Sequence, residues 1–147
     1  MIINYKSKFF MTTQPRGLRN NNPGNIRNSD ATDWQGEVPA SKKQDNSFEE
    51  FEDMAHGYRA LIKLLQNYRR KYGCQTIADF ISRWAPRTEN NTSGYISRVC
   101  QEMQVPTTYV PNVEDKTTMC AFAAAISQVE NGVPAVMADV EKGWALL

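Results

Sequence analysis

The segment CAFAAAISQVENGVPA places one carboxylate, Glu130, immediately before an Asn131-Gly132 pair that must end its helix. Alanine lines this segment and apolar residues nearly surround it, so it belongs at the centre of the fold. A glutamate at the C-terminal end of a buried helix is poorly placed for stability, because the helix dipole there disfavours negative charge. The same setting suits a general acid, a side chain whose task is to carry and deliver a proton. Gly132 leaves room beside it for a ligand. The plainer alternative is a solvated glutamate preceding an ordinary cap. A second carboxylate, Glu89, lies in the loop WAPRTENNTSGY. Asn91, Thr92 and Tyr95 of that loop suit sugars: amides and hydroxyls pair with hydroxyl and N-acetyl groups, and an aromatic ring covers the apolar face of a sugar. Equally, Asn91 or Thr92 caps the next helix. Glu89 is the acid if Glu130 is not, and otherwise a second carboxylate; two carboxylates flanking a glycosidic bond would make a conventional hydrolase, inverting or retaining according to their separation.

Other chemistry-bearing residues divide between site and scaffold. RGLRNNNPGNIR is built of turn formers; Asn20, Asn21, Asn22 and Asn25 are candidates to line a cleft, with some serving the turn itself, and Asn22 and Asn25 are the two assigned to substrate. Asn22 precedes Pro23, which pushes its backbone toward extended geometry. Trp34 is a sugar-stacking candidate, whereas Trp84 and Trp144 are expected in the core. Arg19 and Arg27 are expected to pair with nearby acids, and Asp45 to serve a turn, with orientation of a water as its alternative. His56 has no Ser or Cys partner in a catalytic pattern. Cys74, Cys100 and Cys120 form no CxxC or Cys/His pair, so no metal site is expected. No phosphate loop, HExxH or calcium loop occurs, and acid catalysis in a shaped cleft requires no cofactor.

The elements that must position these residues are mostly helical. Residues 1–15 read as a weakly patterned leader and 16–147 as one domain. A small antiparallel hairpin is predicted within 34–51, around a polar loop. Met54, Tyr58, Leu61, Ile62, Leu65 and Tyr68 recur at helical spacing over about 54–71, and Gly73 ends the run. Thr76 and Asp79 resemble a capping box for a short helix that Pro86 closes. Further helices are predicted from Thr92 to Met103, from an Asp115 N-cap to Asn131-Gly132, and from Pro134 onward, the last burying Val136, Met137, Val140 and Trp144. The fold class is mostly α (α+β), with a minor β element.

The glutamate helix ending in Glu-Asn-Gly resembles the catalytic helix of lysozyme-like lytic transglycosylases and glucosaminidases. NNNPGNIR, then WQGE, then FEEFEDMAHGYRALIKLLQNY resembles the block that follows this helix in bacterial glucosaminidases. The full set, through WAPRTENNTSGYI, is similar to small phage and prophage virion structural proteins or cell-wall hydrolases, and covers most of residues 16–132. The familiar order is reversed here, with the glutamate helix last, which points to a circularly permuted lysozyme-like domain in which Glu130 meets the Asn25 turn. The resemblance implies a muramidase or lytic transglycosylase acting on peptidoglycan glycan strands through a single glutamate. The alternatives are a non-catalytic virion or wall-binding module and a secreted antibacterial effector, with virion proteins or an immunity or delivery partner alongside.

Composition narrows the partner only slightly. Seventeen Lys and Arg against 16 Asp and Glu in 147 residues give a net charge of +1. That balance argues against a dedicated nucleic-acid binder. The N-terminal residues carry no apolar run long enough for a signal peptide or membrane insertion. Synthesis in the cytoplasm is therefore expected, with access to the cell wall or periplasm through a phage particle, a holin or secretion machinery.

Overall fold

A computed structural model describes residues 14–88 and 90–147, so residues 1–13 of the expected leader, and Glu89, lie outside the described residues. The chain is mostly helical. α1 is a single turn, Arg16–Arg19, entered from Pro15; it stands where only turn structure is expected, since Pro15 presets the entry before the asparagine run begins. α2 (Met54–Tyr72) is capped by Asp53, which accepts from His56 N, and ends at Gly73 with a positive φ of 67°. α3 (Ile77–Trp84) carries the expected capping box of Thr76 and Asp79. α4 (Thr92–Met103) starts from an Asn91 cap. α5 (Lys116–Asn131) starts from Asp115 and ends at Gly132.

α6 (Met137–Ala145) begins three residues after Pro134, with Val136 as its cap residue. Val136 and Met137, expected to be buried, are 62% and 43% exposed. The face turned inward is set instead by Val140 and Gly143. A Cβ on Gly143 would lie 2.6 Å from Tyr58 Cβ, so the missing side chain lets α6 close on α2. The main core joins α2 to α6 through Tyr58, Leu61, Phe80, Phe122, Ile126 and Val140, with Phe80 and Phe122 edge to face at 5.4 Å between ring centroids.

Where the hairpin is predicted, only isolated antiparallel bridges form, Arg27 with Phe48 and Glu37 with Phe51. The 47–52 segment is shared between two neighbours. Asn28 N and Glu49 N bond to Ser47 O and Ile26 O on one side, and Val38 N and Glu52 N to Glu50 O and Gly36 O on the other. Sharing one segment between two short partners, with Pro39 opening a 3₁₀ turn at Ala40–Lys42, leaves no run long enough for a ladder. Side chains hold what the ladder does not. Lys43 Nζ donates to Glu49 Oε1 at 2.6 Å, to Glu37 Oε2 at 2.9 Å and to Asn28 Oδ1 at 3.0 Å, and Glu49 is fully buried. Burial opposes the charge on Lys43, but the hydrogen bonds to Glu49 and Glu37 outweigh it and hold the ammonium above its ordinary value.

Asp45 anchors α1 to this region. It accepts from Arg16 Nε at 2.6 Å, from Asn20 Nδ2 at 2.9 Å and from the backbone of Ser47 and Phe48. The Arg16 guanidinium, followed by these amide donors, holds its carboxyl well below the ordinary value of 3.8. A carboxylate depressed in this way stabilises the folded chain above its unfolded value, and the contribution fades as pH falls toward the folded one. Asp45→Asn is therefore expected to flatten the loss of stability between about pH 5 and pH 3, read from urea midpoints.

Candidate active site

The 20–26 turn is shaped by asparagines used in different ways. Asn21 and Asn25 adopt positive φ of 52° and 50°, a region that asparagine tolerates. Asn22, expected at a saccharide, is instead fully buried. Its amide donates to Ile26 O and Glu49 O and accepts from Ile26 N, so no group is left for a ligand. Asn21 donates to Phe51 O, and Asn20 to Asp45. The contacts to Asp45, Glu49 O and Phe51 O fasten the turn to the 45–51 segment, and those between Asn22 and Ile26 close the turn on itself. Only Asn25 faces outward to the site.

Asn25 Nδ2 donates to Glu130 Oε1 at 2.8 Å, joining residues 105 positions apart. The other carboxylate oxygen, Oε2, accepts from Tyr95 OH at 2.7 Å, and Tyr95 accepts from Trp84 Nε1 at 3.1 Å. The direction of this chain is fixed, because an indole N–H can only donate and the tyrosine proton must then go to the glutamate. Burial, reinforced by the Glu130 charge, raises Tyr95 far above its ordinary value, so the phenol remains a neutral donor. Tyr95, expected to contact sugar, is 8% exposed and positions the carboxylate instead. Tyr95→Phe is expected to cost about 1–2 kcal/mol by removing the acceptor of Trp84 Nε1 and a donor to Glu130, measurable by urea unfolding.

The end of α5 is held to the same turn. Asn131 Nδ2 donates to Pro23 O at 3.0 Å and to Ser127 O at 2.9 Å. Its Oδ1 and that of Asn25 are buried without hydrogen-bond partners and converge on Gly17. A Cβ at Gly17 would lie 2.4 Å from the first and 3.1 Å from the second, so only glycine fits there.

Glu130 opens on a cleft of about 380 Å³, walled by Gly24, Asn25, Arg27, Phe48, Trp84 and Asn90 among others. It is the only carboxylate among the described residues that line this cleft. Leu64 and Tyr68 line both it and a larger groove of about 1020 Å³, and Trp34 lies in that groove rather than in the cleft. In the 85–95 loop, Asn90 reaches the cleft, while Asn91 caps α4 by accepting from Gly94 N. Thr92, expected at substrate, is buried and donates its hydroxyl to Ala85 O. Trp84 packs against the core as expected, but its indole N–H also serves the site. That role, like the anchoring by Asn131, has no local sequence signal beyond adjacency to the loop and to Glu130. Away from the cleft, Glu52, Asp53 and His56 bring ligand atoms within 4.8 Å of one another, and Asp53 there caps α2. Among the described residues no helix is long and apolar enough to cross a membrane.

No family model matches the chain. It is 39% identical over 132 residues to Protein P5 of Pseudoalteromonas phage PM2, an alignment that covers 88% of this chain and 79% of that protein. Identity of this order over most of both chains shows the kinship: the chain belongs to the family of phage PM2 Protein P5.

Proposed function

We propose that the protein cleaves the glycan strand of peptidoglycan, with Glu130 as general acid in a lysozyme-like domain of permuted chain order. The observation that carries this reading is the Asn25–Glu130 hydrogen bond at the floor of an open cleft. It joins the turn and the glutamate helix, which supports the permuted order. Glu130 would pass its proton to the glycosidic oxygen as the bond to the anomeric carbon breaks, and the leaving sugar departs as an alcohol. The Glu130 carboxylate left by that step then takes the proton of a hydroxyl of the same muramyl residue, or of water, as that oxygen closes on the anomeric carbon. Glu130 is the only carboxylate among the described residues that line the cleft, which supports the first route. Trp34, Asn90 and Tyr68 supply stacking and polar contacts along the strand.

Kinship with a phage protein favours delivery of this activity to the wall by a virion, with other virion proteins as partners. The test is mass spectrometry of soluble products after incubation of purified protein with sacculi. Muropeptides with anhydromuramyl ends indicate transglycosylation, and those with reducing ends indicate hydrolysis. An absence of both overturns the reading in favour of a non-catalytic module.

A further inference from the structure

The groove that continues from the Glu130 cleft has a chemistry of its own. Arg59, Lys63, Lys71 and Arg83 line it, against a single carboxylate among the described residues, Asp33. Arg59, Lys63, Asn67 and Lys71 recur every four residues on α2 and so form one row along a helix face. Leu64, Tyr68 and Tyr72 form the adjacent row, and Arg83 lies 3.3 Å from the Tyr72 ring centroid. Like charges at this spacing weaken a helix. Yet among the described residues no ion pair joins Lys63, Lys71, Arg59 or Arg83 to an acid, although acids pair with Arg16, Lys43, Arg70 and Lys116 elsewhere.

We infer that this groove holds a carboxylate-bearing peptide attached to the saccharide that occupies the Glu130 cleft. The inference rests on the glycan-cleaving reading and adds the substituent that the strand must carry. From Arg59 to Lys71 the row rises about 18 Å along the helix. That length accommodates about five extended residues. Such a peptide presents side-chain and terminal carboxylates to the cationic row, while its apolar portions lie against Tyr72. Leu64 and Tyr68 border both cavities, so a branch leaving a sugar in the cleft enters the groove without crossing bulk solvent.

The experiment compares initial cleavage rates on peptide-bearing glycan strands and on the same strands stripped of peptide by an amidase. Peptide-bearing strands are expected to be cleaved about tenfold faster, the effect of one or two charge-assisted contacts. The preference narrows at about 0.5 M salt, where exposed charges are screened. A Lys63→Glu/Lys71→Glu double variant brings the ratio of the two rates near one, whereas Lys63→Arg/Lys71→Arg keeps it above one. Equal rates on both strands with the wild-type protein overturn the inference and leave glycan cleavage standing. Cleavage of neither strand overturns both. Charge-dependent binding of duplex DNA by Lys63 and Lys71, accompanied by equal rates on the two strands, assigns the groove to another polyanion and overturns the inference as well.

Discussion

Glutamine in place of Glu130 is expected to yield a folded protein whose release of soluble muropeptides falls by about 10²–10⁴-fold, the range that a positioned proton donor contributes. The substitution preserves shape and removes only the transferable proton. One amide oxygen still accepts from either Asn25 or Tyr95, while the other donor faces an NH₂ group. The structural penalty is therefore one displaced hydrogen bond, about 1 kcal/mol, and a fall of a few degrees in Tm. Thermal unfolding and turbidity clearing, measured on the same preparation, separate the two effects. Clearing at an undiminished rate would remove Glu130 as the acid and turn attention to Glu89, its neighbour in sequence to the cleft residue Asn90.

The second large effect concerns stability. In an exposed helix interior, Gly→Ala gains about 1 kcal/mol. At Gly57 the sign reverses. A Cβ there would lie 2.0 Å from Asn21 O and 2.6 Å from Pro23 Cδ. The first of these is backbone in a turn already fastened through Asn21 and Asn22, so it cannot swing aside as a flexible side chain would. Either α2 or the turn must move. Gly57→Ala is expected to lose about 3 kcal/mol, at the upper end of overpacking costs, with Tm lower by roughly 10 °C. Because the displaced turn carries Asn25, muropeptide release should fall as well, even at temperatures where the variant remains folded. An unchanged Tm would show that the approach of α2 to the turn is looser than described.

The boundaries read from Thr76, Asn91 and Asp115 and from Gly73 and Gly132 are legible because their signals are local, and Asp53 supplies the same kind of cap where the sequence reading named none. Asp53, Thr76, Asn91 and Asp115 each accept a hydrogen bond from the residue three positions on, and Gly73 and Gly132 close their helices at positive φ. Local reading failed where a local signal competed with packing. Pro134 is a reasonable helix opener, yet the approach of Gly143 to Tyr58 sets where α6 lies and leaves Val136 and Met137 exposed. The expected hairpin failed for a related reason: the 47–52 segment has two partners, and a two-strand pattern cannot express a shared one.

Within the site, residue types indicated which side chains matter but not what each would do. Asn22, Thr92 and Tyr95 are polar groups in suggestive loops, and all three prove to be buried. Their hydrogen bonds are directed to the protein itself. Trp84 shows the converse. Helical spacing places its ring toward the core correctly, while the direction of one N–H toward Tyr95 depends on α4, which periodicity in α3 cannot report.

The Asn25–Glu130 hydrogen bond also bears on when the candidate site is assembled. Closing a chain loop of 105 residues costs about 4 kcal/mol of conformational entropy. A single hydrogen bond returns about 1 kcal/mol. The contact therefore cannot form on its own and depends on the packing of α5 among the other helices. During synthesis, the turn, the cleft walls and the basic groove all emerge before the glutamate that would act between them. A chain that ends before α5 lacks both Glu130 and the helix whose packing the contact depends on, so the assembled cleft is an all-or-none property of the finished fold.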